Sequence, residues 1–172
     1  DAGIAQSWHL GHHYTQKASW PGSIEDHMVA GREDGKSWQE KIVAWYEREF
    51  MLPETLHSGS HMMWQLTFGA CGYETQVWIN GILIKTIEGE DVHVGEYTSF
   101  SYELNQEILR PINRVTVRIA DTMDANIPRG KQESFVYKRG GIWYQTYTGA
   151  VRSIWLEQVE RTRLRSRVGV TS

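Results

Sequence analysis

Cysteine is nearly absent from this sequence: Cys71 is the single one among 172 residues. One thiol excludes an internal disulfide framework and also a zinc cluster built from cysteines. Cys71 lies in the short turn 69–72 with no base predicted beside it, and no G-x-S-x-G sequence occurs. A P-loop and a dinucleotide-binding fingerprint are missing as well. The sequence therefore carries no common motif of nucleophilic or nucleotide-dependent catalysis.

Long apolar runs and an excess of one charge are also lacking. No window approaches the roughly 18 apolar residues of a membrane span, and the mean hydropathy is -0.49. The sequence has 18 Lys and Arg residues and 21 Asp and Glu residues, which gives a net charge of -3. Because non-specific nucleic-acid binding needs clustered positive charge, we expect neither a membrane nor a nucleic acid as partner. Residues 1–4 do not resemble a signal peptide, and the compartment stays open.

The length of the chain excludes one common class of enzyme fold. A complete (β/α)₈ barrel needs about 200–250 residues, so a barrel enzyme does not fit into this chain. With 40% hydrophobic and 23% charged residues, the composition is that of one folded globular domain. Aromatic residues are plentiful, with eight Trp, eight Tyr and four Phe. Some must fill a core, and others could form flat faces on which sugar rings stack.

Short alternating segments predict strands rather than helices. In residues 62–69, Trp64, Leu66 and Phe68 alternate with polar side chains and define one apolar face. The pair at 80–81, Asn-Gly between two apolar runs, is the strongest short-range signal for a hairpin. Antiparallel strands without intervening helices predict an all-β sandwich or jelly roll. The predicted strands are 45–52, 62–69, 73–79, 82–88, 97–104, 113–120 and 151–159.

The two ends of the chain have a different character. Residues 1–40 contain four of the seven His, several Gly and little periodicity, so we predict an irregular arm packed on the sandwich. The sandwich itself is predicted over residues 41–160. Residues 161–172 begin with an alternating basic run, which indicates either a final edge strand or the start of a linker.

Two clusters raise the question of metal binding. His9, His12 and His13 are close in sequence, but no helical pattern aligns them, so packing or surface roles are favoured over a metal site. Asp121 and Asp124 fit either turn chemistry or a calcium site of oxygen ligands. We expect no cofactor, with structural calcium at these two Asp residues as the weaker alternative.

A Pro/Gly-rich segment carries the most specific chemistry. In residues 128–132, Arg129, Lys131 and Gln132 follow directly after a predicted strand and present donors for hydroxyl or carboxylate oxygens. Trp143 and Tyr144 come about ten residues later in the chain. The pattern predicts a carbohydrate site in which one of these rings stacks on a sugar while the donors bind its hydroxyls.

At this point the sequence resembles the N-terminal sugar-binding domain of family 2 glycoside hydrolases, the group of β-galactosidases, β-glucuronidases and β-mannosidases. The resemblance runs from about residue 20 to residue 160, and it rests on the order and spacing of several short segments. These segments are WYEREF (45–50), FGA (68–70), YETQVWING (73–81), GEYTSFS (95–101), VRIAD (117–121), PRGKQ (128–132), GIWY (141–144) and SIWLE (153–157).

The resemblance implies a galactose-binding-like jelly roll. In that family the domain precedes an immunoglobulin-like domain and a (β/α)₈ barrel, and the barrel holds both catalytic glutamates. Glu25, in the stretch 21–25, matches a loop that approaches the active site. Trp143 and Tyr144 match the segment where some relatives place a sugar-contacting Asp. The chain alone is therefore not expected to hydrolyse glycosides.

Three functions follow as alternatives. The first is a non-catalytic carbohydrate-binding domain of a family 2 enzyme, with a carbohydrate and the missing immunoglobulin-like and barrel domains as partners. The second is a purely structural or dimerisation domain of that enzyme, in which Trp143 and Tyr144 are buried or form an interface. The third is a free-standing lectin-like module.

Overall fold

The computed structural model describes residues 1–14, 16–27, 42–53, 61–138 and 140–164. In these ranges the helices are short: α1 (Ala2–Ala5), α2 (Ile24–His27) and two 3₁₀ turns, Trp8–Leu10 and Gln106–Ile108. No helix in the described ranges is long and apolar enough to cross a membrane. The strands are β1 (Gly22–Ser23), β2 (Ile42–Met51), β3 (Met62–Phe68), β4 (Glu74–Ile79), β5 (Ile82–Ile84), β6 (His93–Val94), β7 (Phe100–Leu104), β8 (Ile112–Asp121), β9 (Gly149–Ala150) and β10 (Ile154–Glu160).

Two antiparallel sheets form a sandwich. One sheet has the order β2-β8-β4-β5, with β6 also paired to β4, and the other has the order β10-β3-β7. Strands β1 and β9 form a separate small pair. The all-β sandwich predicted from the alternating segments is confirmed. The hairpin between β4 and β5 is confirmed too: Asn80 and Gly81 take positive φ values of 53° and 85°, which suit a two-residue turn.

The core lies between the inner faces of the two sheets. Trp64, Leu66 and Phe68 point inward as the alternation predicts, and each is 9% exposed or less. Phe68 stacks on Phe100 with ring centroids 5.0 Å apart and meets Tyr102 edge-on at 5.9 Å. Burying side chains of this size contributes about 1.5–3 kcal/mol each, so this packing holds the two sheets together.

Residues 1–14 cover the outer face of the larger sheet. There, Trp45 of β2 and Trp78 of β4 stack with centroids 5.2 Å apart. Trp8 meets Trp45 edge-on at 6.0 Å, and His9 stacks on Trp78 at 5.4 Å. His12 in turn stacks on Trp8 at 3.9 Å. These two histidines therefore serve aromatic packing.

Polar contacts fix this segment on the sheet. The Asp1 carboxylate caps α1 by accepting a hydrogen bond from the Gly3 N–H at 3.0 Å, and it also accepts from the Arg118 guanidinium of β8. Further along, Arg114 donates to the Leu10 carbonyl oxygen at 2.7 Å. The boundaries predicted at residues 40 and 160 stay predictions, because residues 28–41 and 165–172 lie outside the described ranges.

Gly3 allows the closest approach between this segment and the sheet. A Cβ atom added to Gly3 would lie 2.3 Å from Nε1 of Trp45. Gly3→Val is therefore expected to lower the free energy of unfolding by about 1–3 kcal/mol, or to detach the segment from Trp45. Urea denaturation followed by tryptophan fluorescence measures both effects. Ala5→Val, at an exposed position of the same helix, is the control, and an equal loss in both variants would contradict the expectation.

Candidate functional site

The segment 122–148, between β8 and β9, holds most of the predicted site residues, and we call it the aromatic loop. A buried ion pair closes its base. Arg129 donates to Oδ1 of Asp121 at 2.7 Å and also to the Thr122 carbonyl oxygen, while Thr148 Oγ1 donates to Oδ2 of Asp121 at 2.8 Å. Arg129 and Asp121 are only 4% and 3% exposed. The last residue of β8 thus binds both Arg129 and the final residue of the loop.

A second anchor joins the loop to the segment before β7. Gln132 donates from Nε2 to Oε1 of Glu96 at 2.7 Å and to the Tyr97 hydroxyl oxygen at 2.9 Å. Its side-chain oxygen, Oε1, accepts a hydrogen bond from the Tyr147 N–H. Tyr97 donates back to the Arg129 carbonyl oxygen at 3.2 Å. Gln132 therefore ties two parts of the loop to one buried carboxyl group.

Glu25 supplies a third anchor. Its Oε2 accepts a hydrogen bond from the Thr148 N–H at 2.9 Å, and the neighbouring Ile24 N–H donates to the Thr148 carbonyl oxygen at 2.7 Å. The pairing of β1 with β9 continues this contact. Glu25 is 5% exposed and lies at the start of α2, so the structure does place it against the end of the aromatic loop.

The Glu96 carboxyl has the most perturbed acidity in this region. Burial raises the pKa of Glu96 from its ordinary value of 4.5 to about 7, and the nearby Asp121 carboxylate adds to the increase. The hydrogen bond from Gln132 and the charge of Arg129 oppose the shift in pKa without cancelling it. Oε2 of Glu96 is buried and has no hydrogen-bond partner among the described residues. Near neutral pH this carboxyl is therefore partly protonated.

The outer side of the loop is apolar and exposed. The Tyr144 ring is 67% exposed, and Trp143 stacks on Tyr137 with centroids 4.3 Å apart and planes 13° apart. This stack joins two stretches of the loop that carry exposed apolar side chains, and we call these side chains, with the half-buried Trp143, the aromatic patch. Its members are Phe135, Val136, Tyr137, Ile142, Trp143 and Tyr144.

Backbone hydrogen bonds hold the patch in place. The Tyr144 N–H donates to the Lys131 carbonyl oxygen at 2.9 Å, and the Glu133 N–H donates to the Tyr144 carbonyl oxygen at 2.7 Å. Gly140 and Trp143 exchange hydrogen bonds of 2.9 Å and 3.1 Å across a tight turn. Lys131 is exposed beside Tyr144, so its ammonium group is available to a ligand on the patch.

The predicted site residues thus divide into two groups. Lys131 and Tyr144 are exposed and Trp143 is half-buried. Arg129, Gln132 and Glu25 are buried, 4%, 7% and 5% exposed, with their polar groups bound largely within the protein. Direct contact between these three and a sugar stays a prediction. Sequence reasoning did not identify Glu96, Tyr97 or Tyr137 as site residues, although Glu96 and Tyr97 belong to one of the segments that carry the family resemblance.

The two aspartates considered for calcium both accept hydrogen bonds within the protein, and calcium at them stays a prediction. Both carboxylate oxygens of Asp121 accept hydrogen bonds, as described above. Oδ1 of Asp124 accepts from the backbone N–H and the side-chain amide of Asn126, at 2.9 Å and 2.8 Å, which is turn chemistry. In the part of the chain that the structure describes, no three His, Cys, Asp or Glu side chains converge as metal ligands.

The two sheets and the anchored loop define an antiparallel β-sandwich domain. The chain belongs to the family of the beta-galactosidase second all-beta domain, whose family model matches residues 5–126. A putative beta-glucuronidase of Formosa agariphila is 24% identical over 122 residues, which cover 70% of this chain and 12% of that protein. The family 2 membership suggested by the sequence is confirmed.

Solved structures share the fold. A Ruminococcus gnavus beta-glucuronidase matches with a TM-score of 0.62 and 21% identity, over 91% of this chain and 25% of that chain. A beta-glucuronidase from an uncultured Clostridium sp. matches with a TM-score of 0.55 and 20% identity, over 71% of this chain and 19% of that chain. The chain therefore spans a quarter or less of the length of these relatives.

Proposed function

We propose that this chain is a non-catalytic accessory domain of a family 2 glycoside hydrolase and that its aromatic loop binds carbohydrate. Family membership and the much greater length of the relatives support an accessory role, with catalysis located in another domain. The observation that carries the binding role is the exposed Tyr144 ring beside the stacked Trp143 and Tyr137, on a loop anchored from beneath.

The proposed chemistry uses both sides of the loop. The apolar C–H face of a sugar ring stacks on Tyr144, and Lys131 donates to hydroxyl oxygens at the edge of the ring. Arg129, Gln132 and Glu25 act as positioning residues, because their hydrogen bonds hold the loop in one conformation. A preorganised loop loses little conformational freedom on binding, which favours a complex even on a shallow surface.

Tyr144→Ala is expected to weaken sugar binding by roughly tenfold, since a lost aromatic contact is worth about 1–1.5 kcal/mol. Isothermal titration calorimetry and NMR titration with galactosides, glucuronides and mannosides measure the affinity. Trp155→Ala is the matched control, because Trp155 is 43% exposed on β10, outside the loop. If both variants keep the wild-type affinity, or lose it equally, the ring assignment is wrong.

The same surface also supports a structural role. Val136 and Ile142 are 67% and 62% exposed, and clusters of exposed apolar side chains are typical of interfaces between domains or subunits. In that case the chain binds no sugar, and Ile142→Glu weakens docking to another domain in a full-length parent enzyme. Analytical ultracentrifugation of the chain and thermal unfolding of the parent measure this effect. Sugar binding that survives Ile142→Glu supports the first function.

A further inference from the structure

We propose that Glu96 is a proton-controlled latch for the aromatic loop: the loop is docked while this carboxyl is neutral and is released when it ionises. The latch deepens the proposed function, because it would regulate the sugar site on that loop. The docking and release of the loop depend on the contacts between Glu96, Gln132 and their neighbours, not on a bound sugar.

One side of the latch is packed against the sandwich. Glu96 is 3% exposed, and its backbone is pressed against Gly72 of the sandwich: a Cβ atom at Gly72 would lie 2.5 Å from the Gly95 carbonyl oxygen and 2.7 Å from Cα of Glu96. The Gly95 N–H also donates to the Tyr73 carbonyl oxygen at 2.9 Å. The backbone at Glu96 is therefore closely packed on Gly72 and held beside the sandwich.

The other side is the aromatic loop itself, and Gln132 is the contact that joins it to Glu96. The amide of Gln132 donates to Glu96 and accepts from the Tyr147 N–H, so one side chain connects the carboxyl to both stretches of the loop. Gln132 also pairs with Tyr144 through a parallel β-bridge. Movement at Gln132 thus shifts the ring that the proposed site uses.

The charges around Glu96 decide when the contact breaks. The groups that act on its acidity are Asp121 of β8, Arg129 of the loop, Gln132 and the adjacent Tyr97, and the ring of His93 lies near Gly95. Arg129 is already bound to Asp121, so an ionised Glu96 places a second carboxylate beside one guanidinium. The second oxygen of Glu96 has no partner among the described residues.

Ionisation then favours an open loop. A buried carboxylate oxygen without a hydrogen bond is unfavourable, and lifting the loop admits water to it. A neutral carboxyl avoids the larger cost of burying a charge. The pKa of about 7 places ionisation within the docked loop in the neutral range. We therefore expect the loop to open progressively as pH rises from the ordinary Glu pKa of 4.5 to about 7 and to change little above it, with sugar affinity falling in parallel.

NMR titration of the ¹⁵N-labelled chain from pH 5.5 to 8.5 tests the latch without any ligand. The Tyr147 amide and the Gln132 side-chain amide are expected to shift with one midpoint near pH 7. Hydrogen-exchange protection of the loop amides, corrected for intrinsic rates, falls by up to about tenfold per pH unit as pH approaches 7 from below and levels off above it, because opening releases one proton only in that range. Glu96→Gln removes the midpoint and keeps the loop protected.

A histidine is the obvious competing source of such a titration. His93→Gln is the control and is expected to keep the midpoint. A midpoint that persists in Glu96→Gln, or one that disappears in His93→Gln, overturns the latch. If Glu96→Gln fails to fold, the ¹³C shift of the Glu96 carboxyl in the wild-type chain decides: a midpoint below pH 5.5 refutes the proposal.

The latch proposal and the sugar-binding proposal can be refuted independently of each other. A loop that titrates in the chain while no sugar binds at any pH refutes the proposed function and leaves the latch standing. Sugar binding with the same affinity at pH 6 and pH 8, with no change in loop protection, refutes the latch and leaves the function intact.

Discussion

Arg129→Met is expected to lower the free energy of unfolding by about 3–5 kcal/mol, because it leaves Asp121 as a buried carboxylate without its cation. Methionine keeps an apolar chain of similar length, so most of the loss comes from charge rather than from packing. Asp121 is 3% exposed and keeps only Thr148 and a backbone N–H as donors after the change. Urea denaturation followed by circular dichroism at pH 7 gives the value.

Two further variants separate this explanation from a general sensitivity of the loop. Lys131→Met changes an exposed cation two residues away and is expected to alter stability by no more than about 0.5 kcal/mol. Asp121→Asn combined with Arg129→Met removes both charges and is expected to recover part of the loss, since breaking a buried pair costs more than replacing it. A double variant that is less stable than Arg129→Met alone would contradict the ion-pair argument.

The pH dependence of stability is expected to show a second large effect, centred on Glu96. The folded chain holds this proton up to about pH 7, whereas the unfolded chain releases it near the ordinary pKa of 4.5. The folded state therefore binds more protons between these values, and the Glu96 contribution to the free energy of unfolding falls as pH rises. With about 1.4 kcal/mol for each tenfold change in proton affinity, the loss by pH 8 is about 3 kcal/mol.

The comparison with Glu96→Gln isolates this effect. The glutamine keeps an oxygen that accepts from Gln132 and has no charge, so its contribution to stability is independent of pH. The difference in free energy of unfolding between wild type and variant is measured from pH 4.5 to 8. It should move by about 3 kcal/mol in favour of the variant. Glu88→Gln, at an exposed carboxylate, should show no such change. A constant difference across this range would mean that Glu96 is not protonated in the folded chain at neutral pH.

The sandwich could be predicted because its signals are local. The alternation of Trp64, Leu66 and Phe68 and the turn at Asn80 and Gly81 are short-range patterns that the tertiary structure agrees with. Strand β2 begins at Ile42, three residues before the predicted start, and ends at Met51, one residue before the predicted end. Pairing with β8, rather than composition, sets where the strand begins and ends. Similarly, the predicted strand 82–88 ends at Ile84, where pairing with β4 stops.

The site could be predicted only in part, because its contacts are long-range. The Gly/Pro-rich segment and the two aromatic residues after it marked the loop, but burial decides the role of each residue. Glu96 and Gln132 are 36 positions apart, and nothing in either local sequence indicates that they meet. The Tyr137–Trp143 stack depends on a turn in which Gly140 and Gly141 take φ values of 116° and 61°. Sequence patterns alone do not determine such a turn.

In the aromatic loop, the residues that attach it to the sandwich are different from the residues that form its exposed surface. Asp121, Arg129 and Thr148 fasten the ends, whereas the tip at 135–138 and 140–143 contributes mainly exposed surface. The tip can therefore be exchanged for foreign sequences while the fastening residues are retained. Such grafts would turn the domain into a scaffold for libraries selected against new glycans, with the sandwich left unaltered.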